Sequence, residues 1–208
     1  MTNPVPMFPL GSVVLPGSFL PLHVFEHRYR RLVADCLAGD RCFGITLISR
    51  GIEVGGGDDR TSVGVLARIE EAVEFDDGRW AIGALALDRI RVRRWLIDDP
   101  YPLAEIERWE DLPVWSPEDG QLRRVAELLT EVSTMAVALD EPHRPLPERL
   151  PEDPSALTHV LVACSPLGET DRFDLLGAES PQERLSQLEQ RLGDQRVLYG
   201  ARIAMGTG

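Results

Sequence analysis

The apolar residues of this chain recur at two different periods, and the change of period near residue 112 constrains the fold. Before that point, short apolar runs alternate with turn residues, which is typical of strands. These runs predict strands at residues 8–14, 19–25, 42–49, 63–75, 79–87, 89–96 and 101–110. A helix is predicted at residues 27–37, because Tyr29, Leu32, Val33, Cys36 and Leu37 recur at helical spacing.

After residue 112 the apolar residues step by three and four positions, which predicts helices. The longest such stripe consists of Leu122, Val125, Leu129, Val132, Ala136 and Leu139. Further helices are predicted at residues 153–164, at residues 171–176 and after residue 180, and Ser116 and Ser180 are predicted N-caps that each precede a proline. We therefore predict an α+β protein with a β-rich subdomain at residues 1–112 and an α-helical subdomain at residues 113–208.

The charged residues exclude several kinds of chemistry. All 22 basic residues are arginines, and the formal net charge is −12. Without lysine the chain cannot form a P-loop, a Ser-Lys dyad or a Schiff base. The negative charge argues against general binding to nucleic acid or to an anionic membrane surface, because phosphate groups are repelled.

Other motifs of catalysis, metal binding and targeting are also missing from the sequence. The three cysteines form no CxxC pair, and no GxSxG nucleophile motif is present. No apolar run approaches the roughly 20 residues that a membrane helix needs. We therefore expect no metal or other cofactor, no catalytic residues and a cytoplasmic location.

Residues 7–32 read MFPLGSVVLPGSFLPLHVFEHRYRRL, in which two apolar runs flank a Pro16-Gly17 turn and lead into a basic helix start. This pattern resembles the opening of the N-terminal substrate-binding domain of the Lon ATP-dependent proteases. The segments GVLARI at residues 64–69, DPYPLAE at 99–105 and SPQERL at 180–185 also fall where that family has them. The resemblance therefore spans nearly the whole chain.

The resemblance implies both a fold and a function. The fold would be a PUA-like pseudobarrel with one inserted helix, followed by an α-helical bundle. The chain would be a free-standing, ATP-independent bacterial member without the ATPase and protease domains. Its function would be non-catalytic binding of unfolded or extended polypeptide segments, as an adaptor, a regulator or a holdase, with a protease or chaperone as further candidate partners. The alternative is a PUA-like RNA-binding module, and the sequence does not specify an oligomeric state.

Two groups of residues are candidates for peptide binding. Glu26, His27 and Arg28 lie where a strand leads into a helix, and they could form a polar lip on a peptide-binding surface. The structural alternative is that these charges match the helix start and pair locally. Trp95 and Trp109 could line a groove between the subdomains, because aromatic anchors suit peptide capture. The alternative is that both are core residues.

An arginine stripe is the third candidate. Arg89, Arg91 and Arg93 alternate along one predicted strand and are expected to face outward. They could bind an acidic segment or RNA. The alternative is a solvated face whose charges are matched by Glu105 and Glu107 on the next strand.

Overall fold

The computed structural model describes residues 4–50, 59–111 and 120–206 of the 208-residue chain. The chain divides into two compact units, residues 1–110 and residues 111–208. The first unit contains the strands β1 Val5–Leu10, β2 Phe19–Val24, β3 Cys42–Arg50, β4 Asp59–Glu74, β5 Trp80–Trp95 and β6 Leu103–Arg108, and the helix α1 His27–Ala38. The second contains α2 Gln121–Ala138, α3 Pro154–Cys164, α4 Glu169–Leu176 and α5 Pro181–Ala204.

The six strands of the first unit form one sheet that closes on itself. Its order is β2-β5-β4-β3-β1-β6, and β6 also pairs with β5. Closure depends on the length of β5, whose first half pairs with β2 and whose second half pairs with β6. Because the ring closes between β5 and β6, β2 lies outside the ring and is paired on one side, with β5. An edge strand of this kind leaves one row of backbone groups open.

The interior of the ring is apolar. Met7, Leu66, Ile90 and Ala104 form a buried cluster contributed by four different strands. Helix α1 packs against this unit through its apolar stripe, and the Tyr29 ring stacks on the ring of Phe8 with centroids 4.2 Å apart.

The second unit is a set of helices in which α2 and α5 pack against each other. The residues that α2 and α5 bury include Val125, Leu129, Val132, Ala136, Leu185, Leu188 and Leu192, which follow the helical period that the sequence predicts. The predicted cap at Ser180 is confirmed, because its side chain accepts a hydrogen bond from the Glu183 amide at 3.2 Å. Asp153 caps α3 in the same way, through the Ala156 amide at 2.8 Å.

The predicted α+β class is confirmed, but some strand bounds were wrong. The first strand ends at Leu10 instead of residue 14, because the chain bends at Gly11 and Ser12. The two strands predicted at residues 79–87 and 89–96 are one continuous strand, β5. The predicted domain boundary between residues 112 and 113 and the predicted cap at Ser116 lie outside the described residues, and both stay predictions.

Candidate functional site

Strand β2 exposes apolar residues on its outer side. Its side chains alternate, so Phe19, Pro21 and His23 are exposed while Val24 is buried. Phe19 is 48% exposed, which is a large fraction for an aromatic side chain in a regular strand. A strand with apolar residues on both sides removes them all from water only if other residues pack against each side. The outer side of β2 is open to solvent.

The neighbouring strands extend this surface. In the sheet register His23 lies beside Ala81 of β5, which lies beside Val73 of β4. Phe75 follows β4, and its ring contacts the His23 ring edge-on with centroids 5.9 Å apart. Val73 is 59% exposed and Phe75 is 42% exposed. We call the surface formed by Phe19, Pro21, His23, Val73 and Phe75 the apolar face.

Gly83 shapes the middle of the apolar face. It lies beside Pro21 in the sheet register, and a Cβ atom placed on it would come within 2.5 Å of Phe19 Cζ. The tip of the Phe19 ring can therefore reach over residue 83 only because this residue has no side chain. Gly83 thus allows the Phe19 ring to lie close to β5 in the middle of the apolar face.

Charged residues surround the apolar face. On β4, Arg68 pairs with Glu70 at 2.7 Å. In the β4–β5 turn, Arg79 pairs with Asp77 at 2.7 Å. The pKa of Asp77 is lowered, first by the hydrogen bond from the Arg79 amide and then by the Arg79 side chain. Both arginines are thus matched by a carboxylate of their own strand or turn.

Glu26, His27 and Arg28 follow β2 after one residue, Phe25, so they continue the chain from the end of the apolar face. Glu26 occupies the N-cap position of α1, but its side chain makes no capping hydrogen bond. Instead, Arg28 Nε donates to Glu26 Oε2 at 3.3 Å, and Arg28 Cζ lies 4.4 Å from the centre of the Tyr29 ring. His27 is exposed. Glu26 and Arg28 thus form the local ion pair of the structural alternative, while their role in binding stays a prediction.

Trp95 and Trp109 lie apart from each other in the first unit. Trp95 lies beside Ala104 at one end of the β5–β6 pairing, with Arg60 Cζ 5.0 Å from its ring centre. Trp109 lies at the other end, where its amide donates to the Arg89 carbonyl at 2.8 Å. Both rings are half-buried. They belong to the β5–β6 segment, whereas Glu26, His27 and Arg28 follow β2, so the structure does not gather the five predicted residues into one site.

The expectation that Arg89, Arg91 and Arg93 all face solvent was wrong for Arg89. Arg89 is only 3% exposed, and its Cζ lies 4.2 Å from the centre of the Trp109 ring. Arg91 Cζ lies 3.5 Å from the same ring. The alternation holds for Arg89 and Arg91, whose side chains share the Trp109 ring, but it could not reveal that Trp109 covers this part of the strand. The β5–β6 register shifts between Val92 and Arg94, so regular alternation does not extend through Arg93. Arg93 is exposed and forms an ion pair with Glu107 of β6.

Two findings limit the chemistry of the described residues. Among residues 4–50, 59–111 and 120–206, no group of three His, Cys, Asp or Glu side chains could hold a metal ion. His23 and His27 are four residues apart, but His23 belongs to a strand and His27 opens a helix, so they do not share one helix face. In the same part of the chain, no helix has the length and the apolar composition needed to cross a membrane.

Comparison with known proteins identifies the family. A sequence model described as the substrate-binding domain of ATP-dependent protease La (LON) matches residues 4–192. The chain belongs to the Lon substrate-binding domain family. It is 26% identical over 186 residues to a Lon protease of Anaeromyxobacter dehalogenans (strain 2CP-C), which covers 88% of this chain and 21% of that protein. It is 33% identical over 110 residues to Lon protease 2 of Sorangium cellulosum (strain So ce56), covering 50% of this chain and 13% of that protein.

Solved structures agree with this assignment. A Lon N-terminal domain protein from Xanthomonas campestris matches with a TM-score of 0.66 and 28% identity, over 90% of this chain and 97% of that one. The N-terminal domain of a Mycobacterium avium complex Lon protease shares the fold, with a TM-score of 0.60 and 20% identity over 92% of this chain and 99% of that one. The chain thus spans a whole Lon N-terminal domain, but only about a fifth of the length of the first curated relatives.

Sequence reasoning missed most of the apolar face of this Lon-type domain. Phe19, Val73 and Phe75 come from two segments far apart in the chain, which the β2–β5–β4 pairing brings together. One signal was present in β2, where apolar residues occupy both alternating positions. Such a strand is either buried on both faces or leaves one apolar face exposed.

Proposed function

We propose that this Lon-type domain is a non-catalytic recognition module that binds extended polypeptide segments on its apolar face, as an adaptor or a holdase. The observation that carries the proposal is the exposure of Phe19, Val73 and Phe75 on one continuous sheet surface. Contiguous exposed apolar surface marks interaction sites more often than isolated apolar residues do. Membership of a substrate-binding domain family supports the same function.

The open edge of β2 is better suited to binding a segment through side-chain contacts than through a long row of backbone hydrogen bonds. Ala86 donates to the Ser18 carbonyl, so the alternation of an antiparallel ladder turns the backbone groups of Phe19, Pro21 and His23 toward the open edge. Pro21 has no N–H group to offer an added strand. A bound segment would thus find only the Phe19 and His23 donors, and its affinity would come mainly from apolar contacts on the face.

A binding experiment with matched variants tests the proposal. Fluorescence anisotropy would follow a labelled, reduced and carboxymethylated protein that cannot refold. Burying one phenylalanine stabilises a complex by about 1.5–3 kcal/mol, so the variant F19S/F75S should bind at least about tenfold more weakly than the wild type. Both side chains are substantially exposed, so folding stability should change little.

The control removes equivalent apolar residues elsewhere. Val197 and Leu198 of α5 are 70% and 53% exposed, and V197S/L198S should bind like the wild type. An equal loss of affinity in both double variants would mean that the binding is nonspecific hydrophobic association. An unchanged affinity in F19S/F75S would mean that the apolar face is not the binding site.

The arginine stripe gives little support to RNA binding. Arg93 pairs with Glu107, and Arg94 beside it pairs with Glu105. Arg89 is nearly inaccessible. A surface whose positive charges are matched by carboxylates offers few counterions to release on binding a phosphate backbone. Salt-sensitive binding of a structured RNA, lost in R91S/R93S, would contradict this interpretation.

A further inference from the structure

One carboxylate on the apolar face forms no ion pair among the described residues. Glu71 is exposed and shares the outer side of β4 with Val73, two residues away. Within the described parts of the chain, Glu71 forms no ion pair, whereas Arg68 and Arg79 pair with Glu70 and Asp77. The Arg41 guanidinium lies beside this part of β4, but its Nε and Nη2 donate to the Ile69 and Glu70 carbonyls at 2.7 and 3.2 Å. The apolar face therefore carries one carboxylate that no arginine pairs with directly.

The position of Glu71 gives that charge a direct role in recognition. In the sheet register Glu71 lies beside Gly83, which lies beside Pro21. Neither neighbour offers a charge, and Gly83 has no side chain to screen the carboxylate from a ligand lying across the strands. Phe19 lies above Gly83 on the same surface, and aromatic rings also attract cations. The Phe75 ring already has a cation of the chain itself near it, because Arg79 Cζ lies 5.9 Å from its centre.

We infer that the apolar face selects extended segments in which apolar residues alternate with lysine or arginine, and that Glu71 makes this selection. The inference rests on the proposed function, because it names the class of segment that the same surface prefers. A segment lying across the sheet would place every second side chain on the face. A cationic residue between two apolar ones would meet Glu71, while a glutamate there would be repelled.

The overall charge of the chain provides a competing explanation. With a net charge of −12, the protein attracts any basic peptide at long range. Glu74 separates the two explanations. It lies on the same strand as Glu71, three residues away, and is exposed, but it pairs in register with Trp80 on the opposite side of the sheet. E71Q and E74Q change the net charge equally and differ only in the face they alter.

The test uses three labelled nine-residue peptides with phenylalanine and valine at alternate positions. The intervening positions carry lysine in the first peptide, glutamine in the second and glutamate in the third. Anisotropy titrations at about 0.15 M ionic strength would limit long-range attraction. We expect the wild type to prefer the lysine peptide over the glutamate peptide by about tenfold, because Glu71 attracts lysine and also repels glutamate.

The variants decide between the explanations. E71Q should reduce the preference at least about threefold, E71R should favour the glutamate peptide, and E74Q should leave the preference unchanged. Glutamine-peptide affinity should be the same in all of these proteins. An unchanged preference in E71Q, or equal losses in E71Q and E74Q, would overturn the role of Glu71 while leaving polypeptide binding intact. If the wild type binds none of the peptides, the proposed function fails as well.

Discussion

Arg184 and Asp111 form a bidentate ion pair in the interior of the second unit. Arg184 Nη2 donates to Asp111 Oδ1 at 2.9 Å, and Nη1 donates to Oδ2 at 3.1 Å. Arg184 is fully buried, and its remaining donors reach the Leu175 carbonyl and the Thr158 hydroxyl. Ser155 also donates to Asp111. The pair therefore joins the residue that opens this unit to α3 and α5.

Removing one partner of this pair should strongly destabilise the second unit. Asp111→Ala leaves a buried guanidinium without its counter-charge, which costs about 3–5 kcal/mol of unfolding free energy. Urea denaturation followed by circular dichroism measures the change. Arg123→Ala is the control, because the Arg123–Glu127 pair on α2 is exposed and its loss should barely move the transition. Equal midpoints for the two variants would contradict a structural role for the buried pair.

Arg89 and Arg93 should respond differently to the same substitution. Arg89 is buried against Trp109, so Arg89→Ser removes packing as well as charge and should lower the unfolding free energy by about 1–3 kcal/mol. Arg93 is exposed and pairs with Glu107, so Arg93→Ser should change it by less than about 1 kcal/mol. Thermal melting of both variants checks this. A similar loss of stability in the two would mean that the stripe behaves as one structural unit.

These arginines show what the sequence can and cannot predict. The period of two correctly grouped Arg89 and Arg91 on one side of β5, because side-chain direction alternates along a regular strand. It does not extend through Arg93, where the β5–β6 register shifts. The sequence could not show which residues cover that side, because the cover comes from Trp109, twenty positions away. The helices of the second unit were predicted better, since their apolar stripes and the Ser180 cap are local features.

The apolar face was missed for a related reason. Its residues become neighbours only through the pairing of β2 with β5 and of β5 with β4. Strand register depends on long-range contacts that no local pattern specifies. Glu26, His27 and Arg28 were predicted from their place between a strand and a helix, and that place is confirmed. Trp95 and Trp109 were grouped by residue type alone, and the structure separates them along the β5–β6 pairing.

Cys42 should react with alkylating reagents before the other two cysteines. All three thiols are free, but Cys36 and Cys164 are buried, while Cys42 is partly exposed. Burial raises the pKa of Cys36 to about 12, with Asp40 adding to the effect, so its reactive thiolate is scarce near neutral pH. Native labelling with a maleimide, followed by mass spectrometry, should show one fast modification that Cys42→Ser abolishes. Fast labelling that persists in Cys42→Ser would contradict this accessibility order.

Tyr101 should ionise later than an ordinary tyrosine. Burial raises its pKa to about 12, and the hydrogen bond that its hydroxyl donates to Asp35 Oδ2 at 2.9 Å adds to the shift. The folded protein therefore holds this proton more tightly than the unfolded chain, in which the pKa is near 10. The corresponding stability is complete below pH 10 and is lost as pH rises toward 12. Ultraviolet titration should show a late tyrosine that Asp35→Asn shifts to lower pH, and an unshifted titration would contradict the role of Asp35.

Gly83→Ala should weaken polypeptide binding without unfolding the protein. The new methyl group would lie 2.5 Å from Phe19 Cζ, so the ring must move. Because Phe19 is at the surface, its ring can swing into solvent, and alanine is favoured over glycine in a strand by about 0.5–1 kcal/mol. The melting temperature should therefore change little, while the affinity for the unfolded protein falls toward that of Phe19→Ala. Gly168→Ala is the control, since open space surrounds that position. Unchanged affinity in Gly83→Ala would mean that the close approach of the Phe19 ring to Gly83 is not needed for binding.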